Sequence, residues 1–280
     1  MKHWNPDDPK DSVVTTKISA KWINLLLFIF NFVSISLGLL ALLKELNIVE
    51  KAYDEETNGI WNGFKPLNCS KEKPTTSLFS LLRRFTVEPY VKIGFRFAFM
   101  FSGMIRIFNS YWRSFLLIYE ALKKEKDSLF IFGLYKILPL IMGAQVFLGA
   151  IMITLAPHID KDELPYFSEV MIKSFFYITA LYMCVVIACD WISAAGFWNY
   201  SSSCRYLVRA VAYIVFISTF VPTISEYSTY LQKIVCHTNA TSTFTAVMEY
   251  MTIFSLIIFH LTEHFDIPGI ELYVVEKKSL

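Results

Sequence analysis

The chain has 280 residues, 55% of them hydrophobic and only 18% charged, with 25 Phe and 15 Tyr. Soluble domains are about 45–50% apolar and about 25% charged, so this composition excludes an ordinary soluble domain, a disordered chain, a coiled coil and a disulfide-dense secreted scaffold. Its 26 basic residues are matched by 24 acidic ones, which removes the electrostatic argument for a nucleic-acid partner.

A membrane span needs about 20 consecutive, mostly apolar residues. Six stretches qualify. The first, 23–43, is the cleanest; it follows more than twenty residues that include Asp7, Asp8 and Asp11, and no small-residue cleavage site follows it. It therefore reads as an uncleaved span and not as a signal peptide. The second, 94–118, is interrupted by Arg96 and Arg106. The third, 129–156, holds Lys136, Pro139 and Gln145 and is long enough to tilt. The fourth, 170–192, ends on Asp190, the fifth, 207–224, carries Pro222, and the sixth, 244–263, runs into His264 and Asp266. The expected fold is an all-α integral membrane protein, a six-span transmembrane helical bundle forming one membrane domain over residues 1–280.

Basic residues in short loops set orientation. With the N-terminus in the cytosol, the inside segments hold Lys2, Lys10, Lys17 and Lys21, then Arg113, Lys123, Lys124 and Lys126, then Arg205 and Arg209, then Lys277 and Lys278. The short outside loops hold only Lys161 and Lys233. Both termini are thus expected to be cytosolic, with a first lumenal loop over 45–90.

Three features agree. The sequons at Asn68 and Asn239 fall in outside loops, where glycans are added, whereas the one at Asn199 falls inside and stays bare. Of five cysteines, Cys69 and Cys236 face the oxidising side, as one disulfide or two free thiols. The chain ends Lys277-Lys278-Ser279-Leu280, either plain positive-inside charge or a dilysine retrieval address read by coat machinery.

Ionisable residues inside spans are costly and are functional candidates. Arg96, Glu169, Lys173 and Glu249 lie near the lumenal side, Arg106 and Gln145 near mid-membrane, and Lys136, Asp190, His260 and His264 toward the cytosol. Glu169, Lys173 and Asp190 sit close enough to helix ends to snorkel, while Arg106 needs a carboxylate, a carbonyl cluster or a bound anion. Glu249 and His260 share a helix face but stand about 16 Å apart along it, too far for a catalytic pair. No soluble-enzyme motif is present, no cofactor or metal centre is implied, and no inverted repeat of the transporter kind is visible.

Residues 244–274 read FTAVMEYMTIFSLIIFHLTEHFDIPGIELYV. The pair Glu249-Tyr250, the run Phe259-His260-Leu261-Thr262, Asp266 and Glu271-Leu272 resemble the C-terminal segment of the post-GPI-attachment-to-proteins factor two family, within the superfamily of FGF-receptor-activating and autophagy-modulator membrane proteins. Cys69, Pro74 and Ser77, then Tyr90-Val91-Lys92, Arg106, Glu169 and Cys236, resemble other family positions more loosely, and Ser168 stands where relatives have His. The resemblance implies a factor that remodels and matures GPI-anchor lipids in the Golgi and endoplasmic reticulum membranes, supporting surface expression of GPI-anchored proteins, either as an acyl- or lipid-transferase or as its accessory subunit. Membrane lipids and GPI-anchored proteins are the expected partners. On this reading Arg96 and Arg106 hold the headgroup phosphate, and Glu169, Glu249, His260 and Asp266 are the catalytic candidates, the last two on the cytosolic side and so better suited to packing or gating. A reading from another class is a non-enzymatic modulator of autophagy or membrane-protein trafficking. A channel or transporter is a third, drawing on the embedded charges alone.

Overall fold

The computed structural model describes residues 12–19, 102–123, 129–154, 166–194, 200–232, 243–264 and 271–277, with scattered positions between 25 and 40 and between 80 and 99. Five long helices are described: α1 Ser102–Lys123, α2 Leu129–Thr154, α3 Phe167–Ala194, α4 Tyr200–Gln232 and α5 Thr243–Glu263. Four of them, α2 to α5, are long and apolar enough to cross a membrane. The protein is therefore an all-α integral membrane protein in its body. The expected spans at 129–156, 170–192 and 244–263 match α2, α3 and α5 within a few residues, whereas α4 extends well past both ends of the expected 207–224.

Consecutive helices pack side by side, α1 on α2, α2 on α3, α3 on α4 and α4 on α5. Their shared core is built from Leu138, Met142, Phe176, Met183, Val186, Phe216 and Phe259, each almost wholly buried. Phe175, Phe176, Phe216 and Phe220 form a ladder of rings with centroids 5.3–6.4 Å apart, which fixes α3 against α4. Pro139 and Pro222 lie inside α2 and α4. A proline withholds one helix hydrogen bond. Around Pro222, Thr219 donates to the Val215 carbonyl and Thr223 to that of Thr219, both at 2.8 Å, so hydroxyls occupy backbone acceptors in this stretch.

The outward faces are apolar. Leu129, Phe130, Leu140, Phe147, Tyr177, Ile214 and Phe254 are all exposed. On α1 the arrangement of a soluble amphipathic helix is inverted. Arg106, Asn109, Ser110, Arg113 and Ser114, spaced at one helical face, are buried, while Met104, Phe108, Tyr111, Phe115 and Tyr119 are exposed. Polar groups turn inward because hydrocarbon offers them no hydrogen-bond partner.

The positions described within the first apolar run, 23–43, are helical, and all but Ser34 and a few half-buried ones are exposed. Phe28 meets the His264 ring edge-on at 5.5 Å, which places this run beside the end of α5. Outside the bundle, β1 (Ser12–Ser19) pairs antiparallel with β2 (Glu271–Lys277), with Ser12 opposite Lys277 and Ser19 opposite Glu271, and a bulge between Val14 and Thr16. An all-helical expectation contains no such sheet. Both strands carry β-branched residues (Val13, Val14, Thr15, Thr16, Ile18; Val274, Val275), which favour extended backbone.

Gly149 allows α2 to approach Phe99 closely. A Cβ there would stand 2.0 Å from the Phe99 Cζ atom. Gly149→Ala forces the ring to move and should cost about 1–3 kcal/mol, read as a lowered melting temperature in detergent, and Phe99→Leu in the same chain should recover part of it.

Candidate functional site: polar tiers inside the bundle

Hydrogen bonds inside the bundle fall at distinct heights. The lowest tier by chain direction lies where α3 and α5 begin and α4 ends. Glu169, in the first turn of α3, is buried and accepts an ion pair from Lys173 at 2.5 Å, one turn along the same helix. A carboxylate suits a helix N-terminus, where the backbone presents unsatisfied N–H groups. Glu249 near the start of α5 is also buried. It accepts hydrogen bonds from the Ser80 hydroxyl at 2.8 and 3.0 Å and from the Leu82 N–H at 3.3 Å. These bonds join the segment before the second expected span to the last helix.

About 15 Å along the bundle axis, ten residues beyond Glu169 on α3 and eleven beyond Glu249 on α5, comes a middle tier. The Gln145 side chain donates to the Thr179 hydroxyl at 2.8 Å and lies 3.5 Å from His260 Nε2. His260 Nδ1 stands 3.2 Å from Glu263 Oε2, and Tyr182 donates to Glu263 Oε1 at 2.7 Å. The Tyr182 and His260 rings stack at 5.8 Å. Arg106 donates to the Phe99 carbonyl at 3.4 Å, lies over the Phe99 ring at 4.8 Å, and has Glu263 and Tyr182 within electrostatic reach.

A third group adjoins the middle tier and extends toward the opposite end, its α5 members Thr262 and His264 flanking Glu263. Asp190 on α3 is bound by Arg113 from α1 and by Arg209 from α4, the latter at 2.7 Å. Arg209 also donates to the Thr262 hydroxyl at 2.9 Å and to the Thr262 carbonyl at 3.0 Å on α5. Asn109 Nδ2 lies 3.2 Å from His264 Nδ1, joining α1 to α5.

The four catalytic candidates therefore separate. Glu169 and Glu249 share one height, His260 belongs to the middle tier, and Asp266 lies outside the described residues. So do Cys69, Cys236, Asn68, Asn239, Asn199, Lys278 and, apart from Ser80 and Leu82, the expected loop 45–90. Arg96 is half-buried in helical backbone, and Lys277 closes β2. Arg113 and Arg209 require a correction. The sequence reading places them among loop charges, yet their residues are only 6% and 1% exposed, and both are drawn into the bundle by Asp190. Glu263 and Tyr182 carried no expectation, although Glu263 follows His260 at the one-turn spacing that brings side chains together.

Between α3 and α4, at the Glu169 end, a cavity of about 370 Å³ opens. Glu169, Lys173, Tyr177, Val221, Ile224, Ser225 and Ser228 line it. Among the described residues, no group of three or more His, Cys, Asp or Glu side chains is placed to hold a metal.

Helices that turn polar faces inward and apolar faces outward, tied by ion pairs and side-chain hydrogen bonds, define a multi-pass membrane protein. A model of the Frag1/DRAM/Sfk1/Cwh43P N-terminal domain matches residues 84–270. The chain belongs to that family. This corrects the assignment to the post-GPI-attachment-to-proteins factor two family drawn from residues 244–274, since the matching family is the Frag1/DRAM one. No curated protein and no solved structure matches the chain.

Asp190→Ala should leave Arg113 and Arg209 facing each other without their shared carboxylate. Breaking a buried pair this way costs about 3–5 kcal/mol, measured as a drop in melting temperature and in monodisperse yield. Adding Arg113→Leu should reduce the loss, because one cation instead of two then lacks Asp190.

Proposed function

We propose that the protein handles a phosphate-bearing lipid at the end of the bundle where Glu169 and Glu249 lie, and that it serves the maturation of GPI-anchored proteins. The cleft between α3 and α4 carries this reading. Its volume of about 370 Å³ falls within the range of small-molecule sites, about 300–1,000 Å³. It combines a carboxylate, an ammonium and two serine hydroxyls with the apolar flank of Val221 and Ile224. That mixture suits the region where a lipid headgroup meets its chains. In the proposed six-span arrangement with both termini cytosolic, this end faces the lumenal leaflet, where GPI anchors reside. Lys277 and Lys278 then lie on the cytosolic side, in keeping with retrieval by coat machinery and residence in Golgi and endoplasmic reticulum membranes.

The test is mass spectrometry of GPI-anchor lipids from cells with and without the gene, alongside surface levels of anchored proteins. Loss of the protein should lower surface levels or leave anchors in a lyso-lipid form. Unchanged anchors together with stable residence in lysosomes would overturn the proposal in favour of a trafficking or autophagy modulator.

A further inference from the structure

The cleft carries more than a general affinity for lipid. Its lining contains a hydroxyl with no hydrogen-bond partner among the described residues. This is the Oγ of Ser228, a residue only 8% exposed. Burying an unpaired hydroxyl is unfavourable. Nearby serines and threonines on α4 avoid this by donating to carbonyls one turn back, as Ser218, Thr219 and Thr223 do. Ser228 instead faces the space between α3 and α4.

The second observation is the ion pair across the same cavity. The Glu169 carboxylate is 10% exposed and fixed near the α3 N-terminus, while the Lys173 side chain is 42% exposed. Glu169 is thus the buried partner of the pair and Lys173 the exposed one. The 2.5 Å contact shows that the Glu169 carboxylate accepts a primary ammonium in this position.

We propose that the α3–α4 cleft binds an aminoalkyl phosphodiester, the ethanolamine phosphate group. The ligand's ammonium takes the place of Lys173 on Glu169. Lys173 turns onto the phosphate, and the Ser228 hydroxyl donates to a phosphate oxygen, with Ser225 at the rim. One ion pair is exchanged for two with no net charge buried, so the desolvation that opposes burying a single charge is avoided. A quaternary ammonium has no N–H to give to Glu169, and a glycerol headgroup has no cation, so both are disfavoured. This inference rests on the lipid-handling reading above and names the chemistry that the site selects.

Binding is measured with the purified full chain in detergent by isothermal titration calorimetry, using short-chain phosphatidylethanolamine, phosphatidylcholine and phosphatidylglycerol, and free phosphoethanolamine. Phosphatidylethanolamine should bind about tenfold or more tightly than the other two lipids, the scale of one charge-assisted hydrogen bond. Equal affinity for free phosphoethanolamine would assign the site to the headgroup wherever it is carried; a requirement for acyl chains would assign it to the lipid. Ser228→Ala should weaken phosphatidylethanolamine binding with unchanged melting temperature. Lys173→Met should weaken it while lowering the melting temperature, because buried Glu169 loses its partner, and Glu169→Gln should abolish the preference over phosphatidylglycerol. If Glu169→Gln does not fold, the half-exposed Lys173 and the single-atom change at Ser228 decide the question. Equal binding of all three lipids, or wild-type affinity in both Ser228→Ala and Lys173→Met, overturns the proposal. Selective binding with unchanged anchor lipids in cells would keep the site and remove the GPI setting; altered anchors without selective binding would do the reverse.

Discussion

Asp190 is the carboxylate on which the bundle closes. It stands on α3 and receives Arg113 from α1 and Arg209 from α4, while Arg209 continues to Thr262 on α5. Four helices thus meet at one acid. In water such a pair contributes little, because solvent competes for both partners. Within a bilayer the alternative to pairing is an unsolvated charge, so the arrangement constrains which helix faces turn inward. The inverted polarity of α1 follows from this. Arg113 must reach Asp190, and Arg106, Asn109, Ser110 and Ser114 are carried inward on the same face.

Much of the bundle is legible in the residues. Long apolar runs bounded by polar stretches mark α2, α3 and α5, and the common face of Glu249, His260 and His264 is buried as helical spacing implies. The misplaced arginines show where one-dimensional reading stops. Arg113 and Arg209 lie near the ends of apolar runs, where counting treats them as loop charge. Their true environment depends on Asp190, 77 positions from one and 19 from the other. The spacing of polar residues on α1 held a signal, since five of them share one face, but only a lipid-facing view gives that face an inward direction. The bond from Ser80 to Glu249 spans 169 positions and leaves no local trace.

The family correction has a related physical basis. Several residues behind the resemblance at the C-terminus hold the bundle together. Glu249 receives Ser80 and Leu82, His260 pairs with Glu263, and Thr262 receives Arg209. A run of this kind records how the last helix is seated among the others. Seating can be shared by proteins with different tasks, so the run speaks more directly about architecture than about reaction. The cleft at Glu169 lies on other helices and does not depend on that run.

The small sheet outside the bundle has a consequence for membrane crossing. Backbone hydrogen bonds join β1 to β2, so residues 12–19 and 271–277 occupy the same side of the bilayer. The chain between them must therefore cross an even number of times. If α2 to α5, each long and apolar enough to cross, supply four crossings, the first apolar run and the stretch containing α1 are locked together: if one spans the membrane, the other must span it too. Two short strands thus impose a parity rule on the whole membrane topology, independent of any count of loop charges.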